Sequence, residues 1–199
     1  MSLDDLVPDT AACRTAREVS AAFCSPALAG HCERSYLWAA RYAADRGIAH
    51  DAELLYVAAM VHDIGLVPLF DSATEPFEEA GGAVGWVFAA GAGWPAERRE
   101  RVREVVVRHM EDAADVPAER DPEGHLLELA TALDVSGRDP QDWPADFRAE
   151  VLDRYPRVGF AGEFLGCFQQ QADRKPASAA AGFVRSGFAD RLRTNPLDA

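Results

Sequence analysis

The sequence predicts an all-α fold, and three observations carry that expectation. Ala and Arg, both good helix formers, are abundant, while β-branched runs are scarce. No stretch sustains the period-two alternation of a half-buried strand, apart from the ambiguous Val105-Val106-Val107. Proline, glycine and aspartate fall where helices begin and end. Together they predict about eight or nine helices, over residues 10–24, 30–46, 51–63, 76–92, 95–110, 122–134, 144–154, 159–173 and 177–193.

Taken in order, the helix over 30–46 ends at Gly47, a residue suited to the left-handed C-cap. The helix over 51–63 has Asp51 as its cap. Leu54, Leu55, Ala58, Val61 and His62 share one of its faces, so His62 lies at the edge of a buried stripe. Pro76, Pro95, Pro122 and Pro144 each fit a first turn, where a missing N–H costs nothing, and Asp121 is placed to cap the helix after it. Gly81, Gly82 and Gly85 read as points of close helix packing. They form no phosphate loop, because no preceding strand and no Gly-Lys-Ser/Thr ending accompany them. The last helices carry Phe160, Phe164, Phe168, Phe183 and Phe188, apolar surface that completes the core or a dimer face and so leaves a homo-oligomer open. There is no internal repeat, linker or composition break, so residues 1–199 read as a single all-α domain.

Composition bounds the function. Twenty Lys and Arg against 33 Asp and Glu give a formal net charge of −13, which argues against gripping nucleic-acid phosphates. The Arg/Glu run over 97–104 is a solvated helix face, not a basic patch. Cys13, Cys24, Cys32 and Cys167 form no C-x-x-C pair and read as reduced thiols. The first ten residues lack a signal-peptide pattern, and the weakly polar stretch 81–94 is too short to span a bilayer. The expectation is a soluble cytoplasmic protein with a small-molecule substrate, no nucleic acid and no membrane.

The chemistry concentrates around residues 61–66, VHDIGL. A His followed by an Asp offers two ligand groups close enough to hold one ion; alone, the doublet equally describes a surface His beside a solvated Asp. Gly65 lets the chain turn out of the helix. Upstream, His31 opens a helix. Downstream, Asp134 stands between Leu133 and Val135 on an apolar face. Asp134 either ends the helix before Ser136-Gly137 or is buried because it binds something, since a buried carboxylate needs a partner. His31, His62, Asp63 and Asp134 together would make a mixed N/O site for one divalent ion with positions left for water.

Arg34 lies three residues after His31 on the same face. It orients a substrate group, pairs with a ligand carboxylate or forms a structural salt bridge. Tyr36 and Trp38 read as core aromatics. His109 follows an apolar run and serves either as a core or capping His or as a proton shuttle in a pocket. Glu78 supports a ligand His or is a solvated first-turn acid. His50 and His125 read as surface residues. Two loops, 66–75 and 111–121, follow His62-Asp63 and His109, where substrate-contacting segments usually sit.

The ordered set His31 … His62-Asp63 … Asp134 resembles the metal-binding pattern of the HD-domain superfamily over about residues 28–137. That resemblance implies a helical bundle delivering these four residues to a divalent metal, with the helices over 144–193 completing the fold, and hydrolytic use of the metal, most often on phosphate esters. The stretch from His31 through Arg34 and Tyr36 also looks like the H-x-x-R-x-Y helix of the cyanamide hydratase-like branch. Phe77-Glu78, His109 and residues 133–137, LDVSG, are similar to that branch as well. Cys32 and Ala39 depart from it.

The expected function is a metal-dependent hydrolase or hydratase acting on a small molecule, with a nitrile-like substrate as one case. Asp63 would hold the attacking water and His109 would move the proton. A phosphomonoesterase or nucleotidase is the alternative, and a non-enzymatic helical module a third. Zinc leads the admissible metals; iron, manganese and nickel also suit such a site. One ion is expected, because no extra His pair accompanies His62-Asp63 to hold a second.

Overall fold

The computed structural model describes residues 2–111, 115 and 117–198, and every regular element among them is helical. Eleven α-helices are formed among these residues: α1 (Leu3–Leu6), α2 (Ala11–Phe23), α3 (Pro26–Arg46), α4 (Ala52–Val61), α5 (Phe77–Gly91), α6 (Ala96–Arg108), α7 (Pro122–Ser136), α8 (Ala145–Arg154), α9 (Phe160–Arg174), α10 (Ala179–Arg185) and α11 (Phe188–Arg193). Short 3₁₀ turns follow α4 (Ile64–Leu66), α7 (Pro140–Asp142) and α11 (Pro196–Asp198). No helix among the described residues is long and apolar enough to cross a membrane.

The fold class agrees with the sequence, and the differences lie at helix ends. α3 starts at Pro26, because the Ser25 side chain caps the amide of Leu28 and proline takes the first position. His31 therefore sits in the second turn rather than the first. The segment expected as one helix over 177–193 is two, split where Gly187 adopts φ 76°. α1 was not expected; it is held by a capping box between Ser2 and Asp5.

α3 and α4 form the centre and carry long buried runs. Leu54 through Val61 are buried without exception. α3 packs against α4 and α7, α4 against α2 and α6, and α5 lies along α6. The α5–α6 approach depends on small residues. A Cβ on Gly82 would stand 3.1 Å from atoms of Arg103 and Val107, and one on Gly85 would stand 3.0 Å from Val102. Cations of the 97–104 run reach neighbouring helices as well as water: Arg98 pairs with Asp51 and Glu53, and Arg101 with Asp121 and Glu123.

A second apolar cluster, rich in phenylalanine, joins α9, α10 and α11 to the start of α3 and to Phe77. The loop after α4 is tied to α9 through Asp71, which accepts from Gln171 (3.0 Å) and Lys175 (2.8 Å) and pairs with Arg174. Lys175, the only lysine in the chain, is committed to this clamp and not to a pocket. Of the second loop, residues 112–114 and 116 lie outside the described residues.

Candidate metal centre

Two histidines reach the site by the same device. α4 ends at Val61 and α6 at Arg108, so His62 and His109 each occupy a C-cap. The last turn of a helix leaves carbonyls without amide partners. His62 Nδ1 donates to the carbonyl of Ala59 at 2.7 Å, and His109 Nδ1 donates to that of Val106. With Nδ1 so engaged, the neutral tautomer leaves Nε2 without a proton, and in both rings Nε2 points at Asp63. The capping and pocket roles weighed for His109 are thus both fulfilled by one side chain.

His31 arrives from α3 with its ring fixed from behind. Its Nδ1 donates to Asp134 Oδ2 at 2.7 Å, and Phe160 stacks on its face with centroids 4.8 Å apart. Its Nε2 then lies 3.2 Å from His62 Nε2 and 3.3 Å from Asp63 Oδ2. His62 Nε2 is also 3.3 Å from Asp63 Oδ2, and His109 Nε2 is 3.6 Å from Asp63 Oδ1. All four side chains are buried. One ligand atom each from His31, His62 and Asp63 falls within a 4.8 Å span.

Such an arrangement is costly without a cation. Three imidazole Nε2 atoms crowd around one carboxylate, and neither Asp63 oxygen has a hydrogen bond of good geometry. A divalent ion among these atoms resolves the conflict, and borderline N/O donor sets of this kind suit zinc, iron, manganese or nickel. The donor set therefore fits a metal. Titration follows the same charges. Burial pushes the Asp63 carboxyl up, but the His62 charge and the other imidazoles outweigh it and hold the group well below the usual range. Burial pushes His31 down, but Asp134 and Asp63 more than offset this and leave it raised.

Asp134 is fully buried inside α7, not at its end; Gly137, with φ 67°, forms the C-cap. Its carboxylate engages His31, accepts from Arg34 Nε (2.8 Å) and Nη2 (2.9 Å), and accepts from Trp38 Nε1 (3.0 Å). The structure thus places Asp134 behind His31 and does not bring it into the three-residue cluster. Arg34 is fully buried, and each of its three nitrogens is already engaged. Its remaining nitrogen faces the carbonyls of Tyr155 (3.2 Å) and Pro156 (3.4 Å). Of the roles open to Arg34, the structure shows the pairing with the Asp134 carboxylate.

A family comparison now adds to this geometry: residues 28–135, more than half of the chain, match the HD domain family. The chain belongs to the HD-domain family. No curated protein matches it. Members of the family are in general metal-dependent hydrolases, and the His31/His62/Asp63 cluster is compatible with that chemistry.

All four residues of the H…HD…D pattern lie inside the matched HD segment, but several of their supports do not. Arg157 donates to the Asp134 carbonyl and lies 3.3 Å from its carboxylate, and Asn195 Nδ2 donates to the same carbonyl at 2.9 Å. With Phe160, these come from the C-terminal part, where the sequence pointed to no site residue. Trp38 is a core aromatic, as its sequence position suggests, and also donates to Asp134. The spacing His31, Arg34, Trp38 is one helix face, and that was the available signal. Glu78 is not solvated: it is buried, its Oε2 has no hydrogen-bond partner, and burial raises its pKa. His50 and His125 are half-buried and stand apart from the cluster.

The cluster forms one end of a cavity of about 110 Å³. At roughly 30 Å³ per water in the liquid, that is room for about four water-sized groups.

Proposed function

We propose that this protein is a metal-dependent hydrolase or hydratase of a small molecule, with one divalent ion, zinc first among the candidates, held by His31, His62 and Asp63. The carrying observation is the convergence of three imidazole Nε2 atoms on a buried, unsatisfied Asp63 carboxylate that lines a cavity. When bound, the ion supplies Lewis acidity and lowers the pKa of water from about 15.7 toward about 7. Asp63 Oδ1, nearest His109, accepts a proton from the attacking water. His109 Nε2 then carries that proton to the leaving or accepting atom of the substrate, while the Val106 carbonyl keeps its Nδ1 protonated. Asp134 holds the His31 ring and its tautomer, which raises ligand basicity. Proposed as a fourth ligand from the sequence, Asp134 enters here through that bond.

The cavity bears on the substrate. A triatomic nitrile fits within it, and a longer molecule reaches the exposed rim at Arg191. A phosphate ester is the second reading, and it is favoured by Arg191 in the lining.

The test is metal content and turnover together. Protein purified without chelator should carry about one equivalent of transition metal, and His62→Ala should lose it. A panel of cyanamide, nucleoside monophosphates and small esters should show turnover that chelator abolishes. A metal-free protein whose properties neither added zinc nor His62→Ala alters would overturn the proposal.

A further inference from the structure

Beyond the matched family segment, the last three helices supply an apolar wall to the cavity that holds the metal cluster. Phe164 and Phe168 of α9, Phe183 of α10 and Phe188 of α11 line it. Their rings form one continuous surface: Phe164 and Phe168 are 4.7 Å apart, and Phe168 and Phe188 are stacked at 4.8 Å and 21°. Arg191, one helical turn after Phe188, lines the same cavity and is exposed.

The cavity cations differ in their commitments. Arg138 is held by Glu128, with its Nη2 2.7 and 2.6 Å from the two carboxylate oxygens. Arg191 has no carboxylate within salt-bridge distance among the described residues. Its Nη1 and Nη2 donate instead to the carbonyl (2.7 Å) and hydroxyl (3.2 Å) of Ser186, which fix the guanidinium at the turn into α11. Three of its five N–H groups remain for a ligand. Glu111 also lines the cavity and is exposed, so the local balance suits one negative charge better than two.

We infer that Arg191 is a specificity residue, and that the substrate carries a flat apolar body ending in a single anionic group of carboxylate size. The body lies against the phenylalanine wall, the anion meets Arg191, and the reacting group faces His31, His62 and Asp63. This deepens the metal-hydrolase proposal and rests on it for the reacting end alone.

Two probes separate the claims. Benzohydroxamate and 4-carboxybenzohydroxamate, titrated calorimetrically into zinc-loaded full-length protein, differ only at the end facing Arg191. The carboxylated probe should bind about tenfold more tightly, the order that a charge-assisted hydrogen bond at a rim supplies. Arg191→Ala should erase that difference without weakening benzohydroxamate, and Arg191→Lys should restore part of it. Equal affinities in the wild type, or a preference that survives Arg191→Ala, overturns the assignment while leaving the metal site standing. Phenylacetate on metal-free protein needs no ion. Its binding, read from ring-current shifts in NMR, should be lost in Arg191→Ala. If zinc fails to load but phenylacetate still depends on Arg191, the metal proposal falls and this one holds. Independence from Arg191 there overturns it.

Discussion

His31 Nδ1 and Asp134 Oδ2 lie 2.7 Å apart, and this one bond decides which face of the imidazole is available to a metal. Because Nδ1 carries the proton, Nε2 is left bare toward His62 and Asp63. The Asp134 carboxylate also neutralises Arg34 inside the protein, and their pairing, with burial opposing it, holds Asp134 well below the usual carboxylate range.

Asp134→Asn keeps the shape and removes the charge. It leaves Arg34 buried without its counter-ion, so stability should fall by about 3–5 kcal/mol in denaturant unfolding. Zinc affinity should drop about 10–100-fold, the usual effect of losing a carboxylate behind a ligand histidine. A loss far beyond that range would mark Asp134 as a direct ligand instead.

Metal affinity should rise with pH. His31 must lose its proton to bind an ion, and its raised pKa extends proton competition above the ordinary histidine range. Asp63, held low, stays ionised throughout. The raised histidine also stabilises the metal-free protein fully below its unfolded pKa and loses that contribution as pH rises through the folded value. Both effects widen the gap in Tm between zinc-loaded and metal-free protein from about pH 6 to pH 8. A gap that stays flat over that interval contradicts the assignment.

Much of this was legible in the sequence, and particular residues show why. His62-Asp63 and Asp134 stand out because polar residues in apolar helical stretches need a reason to be there. Proline and capping residues mark the starts of most helices, but Ser25-Pro26 opens α3 ahead of the start near Gly30 that the pattern predicts. What stayed hidden depends on distant chain segments meeting. Nothing local in Arg157 or Asn195 announces a bond to the Asp134 carbonyl, and the phenylalanines of α9 to α11 read equally as core, dimer face or cavity wall.

His109→Ala should separate holding from turning over. The ligand atoms of the three-residue cluster do not include His109, so bound zinc should remain near one equivalent. Turnover of whichever panel compound is hydrolysed should fall about 100-fold or more, the usual contribution of a positioned acid or base. Loss of the metal together with the rate would reassign His109 as a ligand.

Glu78 offers a test confined to burial. Its raised pKa means that the folded protein favours the protonated acid, so its contribution to stability declines as pH climbs above the unfolded value. Glu78→Gln removes that dependence. The Tm of the variant relative to wild type should increase from pH 5 to pH 8, and a constant difference would show that the carboxyl does not ionise at a cost.

Gly65 was expected to let the chain turn, but its φ is not positive, and the structure gives a different reason for a glycine. A Cβ there would stand 2.0 Å from the carbonyl oxygen of Phe77 and 3.0 Å from the amide nitrogen of Gly81. The obstacle is backbone, which cannot rotate away as a side chain can. The 3₁₀ turn carrying Gly65 packs on α5, and Asp63 opens that turn. Gly65→Ala should therefore push α5 and the turn apart, costing about 1–3 kcal/mol as other overpacked sites do. Because the displaced turn begins at a metal ligand, zinc affinity should fall alongside stability. Calorimetric titration of zinc at a temperature where the variant remains folded reads the two effects separately. Unchanged affinity would mean that Asp63 is held by its imidazole neighbours alone and not by the packing beneath the turn.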